Sequence, residues 1–202
     1  RFNSDGTTIT ILDRYNSTTD KAVSVPLLVP YDIRSFADGT VDANTEGVAS
    51  AQCCRFSPDG TKFYMFDGGD DAIYQWSLHT PYALGRGSTT ANYDGKTASL
   101  AAPDAIQYSF DWTPGGKGIF VCGSNTDTIS FWEFAVPYDV TSTITYGHAI
   151  DITGWETDPR EIRVVNCYNA NKTADGRART AGYKLHVLGT GSDVLYEFDI
   201  NF

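Results

Sequence analysis

The side chains best suited to acid–base catalysis are three histidines, His79, His148 and His186. None of them has a Ser, Cys or carboxylate neighbour at the spacing of a nucleophile–base–acid triad. The sequence also has no His-Glu-x-x-His, Gly-x-Ser-x-Gly, phosphate-binding or dinucleotide-binding motif. It therefore predicts a protein without catalytic residues, which is not an enzyme and uses no cofactor.

Metal binding would require clustered ligands. The loop that contains Asp67, Asp70 and Asp71 has the carboxylates that calcium prefers, but the equivalent loops of the chain lack the second and third carboxylates. A structural role is therefore favoured for this loop, and calcium binding is the alternative.

The four cysteines have no Cys-x-x-Cys spacing and no histidine at ligand spacing. They are Cys53, Cys54, Cys122 and Cys167. Zinc is therefore not expected, and the sequence predicts no metal site. Buried free thiols are favoured over a disulfide, because unpaired cysteines are among the most buried side chains.

Ligand contacts are predicted at two places that depart from the regular pattern of the chain. Trp155 lies outside that pattern and is the aromatic side chain best suited to contact a ligand, although packing is its favoured role. Positive charge collects at Asn171, Lys172, Arg177 and Arg179 in an otherwise acidic protein. Repeat proteins often bind partners through such an insertion, although a solvated hairpin also explains it.

Charge and hydropathy exclude two classes of partner. The formal net charge of -10 and the sequence pI near 4.6 disfavour nucleic acid and anionic membranes, because phosphate contacts need clustered Lys and Arg. No apolar run approaches the roughly 18 to 20 residues that span a bilayer. We therefore expect neither nucleic-acid binding nor membrane insertion.

The chain contains one sequence unit four times. Phe56–Leu84 aligns without a gap with Trp112–Val140, and partial copies lie near both ends of the chain. A period of roughly 54 to 60 residues is typical of propellers and solenoids. The units, which together form one predicted domain over 1–202, cover approximately 2–50, 51–106, 107–160 and 161–202.

Each unit has the pattern of a β-hairpin with room for two further strands, and helical periodicity is absent. The hairpin turn ends in an aspartate that should accept hydrogen bonds from turn amides and fix the strand register. These aspartates are Asp20, Asp71, Asp127 and Asp193. The sequence thus predicts an all-β protein, a β-propeller of about four blades, each a four-stranded antiparallel sheet.

The first and last blades are expected to be incomplete. The first unit lacks most of its inner strand, and the fourth unit lacks an outer strand. Either the natural protein is longer or another chain supplies strands or covers the edge. We therefore expect other protein subunits as partners, in a homo- or hetero-oligomer.

The motif at Phe56–Tyr64, Phe-Ser-Pro-Asp-Gly-Thr-Lys-Phe-Tyr, resembles a family of bacterial and phage β-propeller repeats. Members typically read FSPDGTKMYV, then DTVYQYxLSTPWD, then ASYxG, and the later elements are matched by Asp71–Leu78, Thr80–Tyr82 and Ala91–Gly95. The fourth unit departs from the pattern through its long turn. The resemblance implies the propeller fold and a surface or virion protein, and it implies no particular activity.

Together these features favour a non-catalytic structural or interaction propeller of a larger extracellular assembly. A phage virion component (decoration, tail or fibre) or a cell-surface protein fits best, located outside the cell or on the virion surface. A carbohydrate-binding propeller with a glycan ligand, resting on Trp155, Tyr93 and Tyr146, is the second hypothesis. A polysaccharide-active enzyme that uses His148 and Asp158 is the third, because several blades can contribute carboxylates to one site.

Overall fold

The computed structural model describes residues 2–13, 20–37, 41–43, 47–84, 91–166 and 182–200. All regular secondary structure in these ranges is β-strand, and they contain no helix that is long and apolar enough to cross a bilayer. The strands are β1 (Thr8–Asp13), β2 (Lys21–Pro26), β3 (Val41–Ala43), β4 (Ala51–Phe56), β5 (Lys62–Asp67), β6 (Ala72–Leu78), β7 (Ala91–Lys96), β8 (Gln107–Trp112), β9 (Gly118–Gly123), β10 (Thr128–Phe134), β11 (Ile144–Asp151), β12 (Pro159–Asn166), β13 (Tyr183–Gly189) and β14 (Leu195–Ile200).

These strands form four antiparallel sheets in which sequence neighbours pair. Sheet 1 has the order β1-β2-β3, sheet 2 is β4-β5-β6-β7, sheet 3 is β8-β9-β10-β11, and sheet 4 is β12-β13-β14. The predicted all-β class and the four antiparallel sheets are confirmed. Among the described residues, however, two of the sheets have three strands instead of four.

Each three-stranded sheet lacks the strand that is absent from its partial sequence unit. The β1–β2 hairpin corresponds to β5–β6, so sheet 1 lacks an equivalent of β4. The β13–β14 hairpin corresponds to the same pair, so sheet 4 lacks an equivalent of β7. Both statements apply to the described ranges.

The chain forms two compact units, each with its own core. Unit 1 comprises Arg1–Ala102 and Phe134–Ile144, and unit 2 comprises Pro103–Glu133 and Thr145–Phe202. In unit 1, sheets 1 and 2 bury one apolar cluster, and in unit 2 sheets 3 and 4 bury another. Strand β9 buries all six of its residues, which explains why Gly-Ile-Phe-Val-Cys-Gly contains no charged side chain.

A corner made of a glycine and a tyrosine ring recurs on sheets 1 and 2. Gly6 and Gly60 have φ angles of 73° and 71°, a region that favours glycine. The N–H groups of Tyr31 and Tyr82 donate to the carbonyls of these glycines at 2.8 Å in both cases. Each tyrosine ring lies over its glycine, where a Cβ atom would overlap the ring. The corner thus fixes the direction of the loop that follows the hairpin.

Other repeat positions also adopt the left-handed conformation. This conformation is sterically unfavourable for residues that have a Cβ atom, and Asp is one of the few that tolerate it well. The residues and their φ angles are Tyr31 (62°), Tyr82 (60°), Tyr138 (56°), Asp71 (49°), Asp127 (50°) and Asp193 (54°). The equivalent backbone conformation at equivalent positions shows that the sequence repeat is also a structural repeat.

The glycine of the corner can be tested by substitution. Gly60→Ala places a Cβ atom against the Tyr82 ring in a left-handed backbone, so we expect a loss of unfolding free energy of at least about 1–2 kcal/mol. Gly154→Ala is the control, because nothing lies within 4 Å of its Cβ position. Urea denaturation followed by tryptophan fluorescence measures both. Equal stability of the two variants would contradict the role of the corner.

Candidate functional site

Two edge strands of unit 2 bring polar side chains from different repeats together. Strand β8 is at the edge of sheet 3, and β12 is at the edge of sheet 4. The hydroxyl of Ser109 on β8 donates to Oε2 of Glu161 on β12 at 2.9 Å. The Asp111 carboxylate accepts the Val164 N–H at 2.9 Å. We call Ser109, Asp111, Glu161 and Arg163 the edge-strand cluster.

Arg163 completes the cluster from the same strand as Glu161. Its Nε atom lies 2.8 Å from Glu161 Oε1, and both side chains remain about one-third exposed, at 33% and 35%. The Nη1 atom of Arg163 is buried and has no hydrogen-bond partner among the described residues. A buried donor of this kind is normally satisfied. An anionic or carbonyl oxygen of a ligand would satisfy it.

The arrangement fits hydrolytic chemistry. A carboxylate that is held in place by a hydroxyl and a guanidinium can accept a proton from water. The planar guanidinium can bind a carboxylate or phosphate with two parallel hydrogen bonds, or stabilise a developing oxyanion. The partial exposure of both groups leaves them open to a small molecule. The cluster is therefore a candidate active site.

Sequence motifs missed this cluster because its members come from separate repeats. The strand registers show that the members occupy two equivalent positions on the first strand of sheets 2, 3 and 4. One position holds Cys53, Ser109 and Glu161, and the other holds Arg55, Asp111 and Arg163. These two positions vary chemically while the position between them stays apolar. An alignment of the first strand of every repeat could have identified them.

Two buried carboxylates anchor hairpin turns in unit 2. Asp104 accepts hydrogen bonds from the amides of Asn125 and Thr126 at the β9–β10 turn. Glu156, which is fully buried, accepts from Gly191 at 2.8 Å and from the Ser192 hydroxyl at 2.6 Å at the β13–β14 turn. Their equivalent location before the first strand of each sheet indicates a structural role.

The pKa of Glu156 and the pKa of the neighbouring Asp127 are shifted in opposite directions. Burial by itself would raise the pKa of Glu156, but hydrogen bonds from Ser192, Asp158 and Gly191 outweigh it and lower the pKa. Burial raises the pKa of Asp127, and the nearby carboxylates, of which Asp104 contributes most, raise it further. Within the described ranges no three His, Cys, Asp or Glu side chains converge as a metal site requires.

The acidic loop proposed as a calcium alternative uses its carboxylates within the protein. Asp67 accepts the amides of Ala49 at 2.9 Å and Gly69 at 2.7 Å. Asp70 pairs with the Lys96 ammonium and accepts the Tyr74 hydroxyl. These protein donors explain the acidic residues without an ion.

The predicted turn aspartates have two kinds of environment. Asp20 is buried and its carboxylate accepts the Ala51 amide at 2.6 Å. Asp71 and Asp127 instead contribute their backbone carbonyls, which accept the amides of Leu100 and Ile152. With Asp193, these two residues share the left-handed backbone described above.

The predicted ligand-contact residues are only partly described. Trp155 is 54% exposed and contacts the Phe198 ring edge-on at 5.8 Å, so its indole is available to a ligand. The basic segment, with Asn171, Lys172, Arg177 and Arg179, lies outside the described residues, as does Cys167. The remaining cysteines, Cys53, Cys54 and Cys122, are buried.

The histidines have separate surroundings. The ring of His148 packs on Phe131 at 5.5 Å, and His186 lies 3.0 Å from Glu197. His79 is exposed. Asp158, which the enzyme hypothesis combined with His148, pairs with Arg160 at 2.8 Å and accepts the Thr190 hydroxyl.

Comparison with known proteins shows the fold. No protein-family model and no curated protein matches the sequence. The solved structures that are similar over nearly the whole chain include the following three. A protein of Bacteroides fragilis that is provisionally described as a 6-phosphogluconolactonase has a TM-score of 0.53 and 13% identity, with 100% of this chain and 53% of that chain covered.

The other two structures are a gluconolactonase and a propeller domain. The periplasmic gluconolactonase of Pseudomonas aeruginosa has a TM-score of 0.52 and 13% identity, covering 99% of this chain and 52% of that one. The β-propeller domain of Cps50 (Swd1) from Myceliophteria thermophila has a TM-score of 0.52 and 11% identity, covering 96% and 54%. The predicted β-propeller fold is confirmed, and the chain spans about half the length of these structures.

The predicted function is wrong. We expected a non-catalytic structural component of a virion or cell surface, whereas two of these similar structures bear lactonase names, and none of the three bears a phage name. The error has a physical origin, because the prediction relied on motifs that are local in sequence. Ser109 and Glu161 become neighbours only when separate sheets pack.

Glu156 provides a test of the turn anchors. Glu156→Gln removes one acceptor and should reduce the unfolding free energy at neutral pH by about 1–3 kcal/mol. Because the folded-state pKa lies below the ordinary value of 4.5, the wild-type advantage exists above that pH and is lost as the pH falls through the folded-state pKa. Urea denaturation at neutral pH and at about pH 3 measures this. Glu133→Gln, at an exposed carboxylate, is the control. A stability difference that persists unchanged in acid would contradict the assignment.

Proposed function

We propose that this chain is a hydrolase that opens small sugar lactones at the edge-strand cluster. The observation that carries the proposal is the Glu161–Arg163 pair, held by Ser109, with the buried Nη1 of Arg163 directed to no described protein group. The lactonase names of two similar propellers support the same chemistry. The substrate class is a polyhydroxy lactone, with or without a phosphate group.

Each residue has a defined task in this proposal. Glu161 takes a proton from a water molecule whose oxygen attacks the lactone carbonyl carbon. Arg163 stabilises the oxyanion that forms on the carbonyl oxygen. The bond between the carbonyl carbon and the ring oxygen then breaks, and the protonated Glu161 gives its proton to the ring oxygen, which becomes a hydroxyl. The acid product releases one proton at neutral pH, so the reaction consumes one lactone and one water.

Ser109 and Asp111 are positioning residues. The Ser109 hydroxyl fixes one oxygen of Glu161, and Asp111 ties β8 to the backbone of β12. These contacts keep a carboxylate from one strand and a hydroxyl from another within hydrogen-bond distance. Positioning of this kind contributes to rate because small displacements of reacting groups are costly.

The test is proton release from glucono-δ-lactone and 6-phosphogluconolactone, measured in a pH-stat above the spontaneous rate. We expect Glu161→Gln to lower kcat/KM by about 10²–10⁴. Arg163→Lys should lower it by about 10²–10³, because lysine lacks the guanidinium fork.

Glu133→Gln is the matched control, because this exposed carboxylate of unit 2 lies on β10, outside the cluster. Its rate should equal that of the wild type. Urea unfolding of every variant separates loss of activity from loss of folding. Failure of the wild type to accelerate either lactone, or full activity in folded Glu161→Gln, would overturn the proposal.

A further inference from the structure

After β6 and after β10, the loop that contains the Pro-Tyr pair ends in an aliphatic residue that is buried on the preceding sheet. In the loop after β6, Leu84 is 3% exposed and belongs to the same core cluster as Ala22 of sheet 1. In the loop after β10, Val140 is 0% exposed and its N–H donates to Gln75 Oε1 of sheet 2 at 2.9 Å. Both loops lie in unit 1.

Sheet 2 holds its loop through side chains on two paired strands. The Tyr64 hydroxyl donates to the Tyr138 carbonyl at 2.7 Å, and the Lys62 ammonium donates to the same carbonyl at 3.2 Å. Tyr64 and Gln75 are directly opposite each other in the β5–β6 register. Tyr64 and Gln75 therefore form the surface on which a Pro-Tyr loop packs, and we call this surface the seat.

The equivalent seat on sheet 3 is an open groove. Phe120 and Phe131, opposite each other in the β9–β10 register, are the counterparts of Tyr64 and Gln75. They line a groove of about 480 Å³ together with Ile150, His148 and Glu133. Their rings lie 5.3 Å apart. The seat is thus more apolar than on sheet 2, and its volume is in the ~300–1,000 Å³ range of binding pockets.

The loop of sheet 1 is the exposed counterpart. It carries the same Pro-Tyr pair, and Ile33 occupies the position of Leu84 and Val140. Ile33 is 55% exposed, and Leu28 and Phe36 in the same loop are 73% and 55% exposed. Clustered exposed apolar side chains of this kind mark interaction surfaces.

We propose that the sheet 3 groove binds the Leu28–Phe36 loop of a second copy of this chain, with Ile33 packed on Phe131 and on the exposed Ile150. The loop has the sequence features of the two loops that are already seated on equivalent surfaces. Its Arg34, whose side chain is 87% exposed, is paired with Asp32 of the same loop at 2.9 Å. The apolar contact therefore supplies the affinity.

The proposal is tested by the solution mass of the protein over a range of concentrations, measured by sedimentation equilibrium. The wild-type mass should rise from 22.1 kDa toward multiples of this value. Ile33→Asp in the loop and Ile150→Glu in the groove should each weaken association at least about tenfold, equivalent to ~1.4 kcal/mol. Val136→Asp is the matched control, because Val136 is 49% exposed in the equivalent loop of sheet 3, outside both surfaces.

A synthetic peptide with the sequence of Leu28–Phe36 provides the second arm. It should dissociate the wild-type oligomer and bind the Ile33→Asp monomer, whereas a scrambled peptide should do neither. A wild-type protein that stays monomeric at the highest concentration, or an Ile33→Asp variant that associates as the wild type does, would overturn the proposal. So would equal effects of the two peptides. None of these readouts depends on lactone hydrolysis.

Discussion

The structure depends on a backbone constraint at the end of the hairpins of sheets 1 and 2. A tyrosine in the left-handed conformation, with its ring over a glycine that is also left-handed, directs the chain out of one strand and into the next loop. On sheets 1 and 2 this corner is joined by a 2.8 Å hydrogen bond between tyrosine and glycine. The loop that follows the corner of sheet 2 places Leu84 in the same buried cluster as Ala22 of sheet 1. Local geometry therefore sets the packing of one sheet on another.

The repeat leaves some positions free to diverge, and these positions create the candidate site. On the first strand of sheets 2, 3 and 4, one equivalent position holds the buried apolar side chain of Cys54, Phe110 or Ile162. The positions on either side of it carry Cys53 and Arg55, then Ser109 and Asp111, then Glu161 and Arg163. In unit 2 this divergence places a carboxylate, a hydroxyl and a guanidinium within hydrogen-bond distance. The scaffold is preserved while its chemistry changes from blade to blade.

The fold could be predicted from the sequence because its signals are local. Alternating strands, Asp-Gly turns and Pro-Tyr pairs identified the repeat, and the repeat identified the two sheets that have only three described strands. The candidate site could not be predicted in this way. Ser109 and Glu161 are separated by 52 residues, and only the packing of β8 near β12 joins them. Trp155 was recognised because it departs from the repeat, whereas Glu161 was missed because it occupies a regular repeat position.

The central claim is that Arg163 and Glu161 form an anion-binding, water-activating site. A crystal structure of the protein soaked with 6-phosphogluconate, the acid product of the phosphorylated lactone, tests it most directly. The account predicts that a carboxylate or phosphate oxygen of the product lies within hydrogen-bond distance of Arg163 Nη1, with the sugar chain beside Glu161. Product bound elsewhere in unit 2, with Arg163 Nη1 satisfied by a protein group, would contradict it.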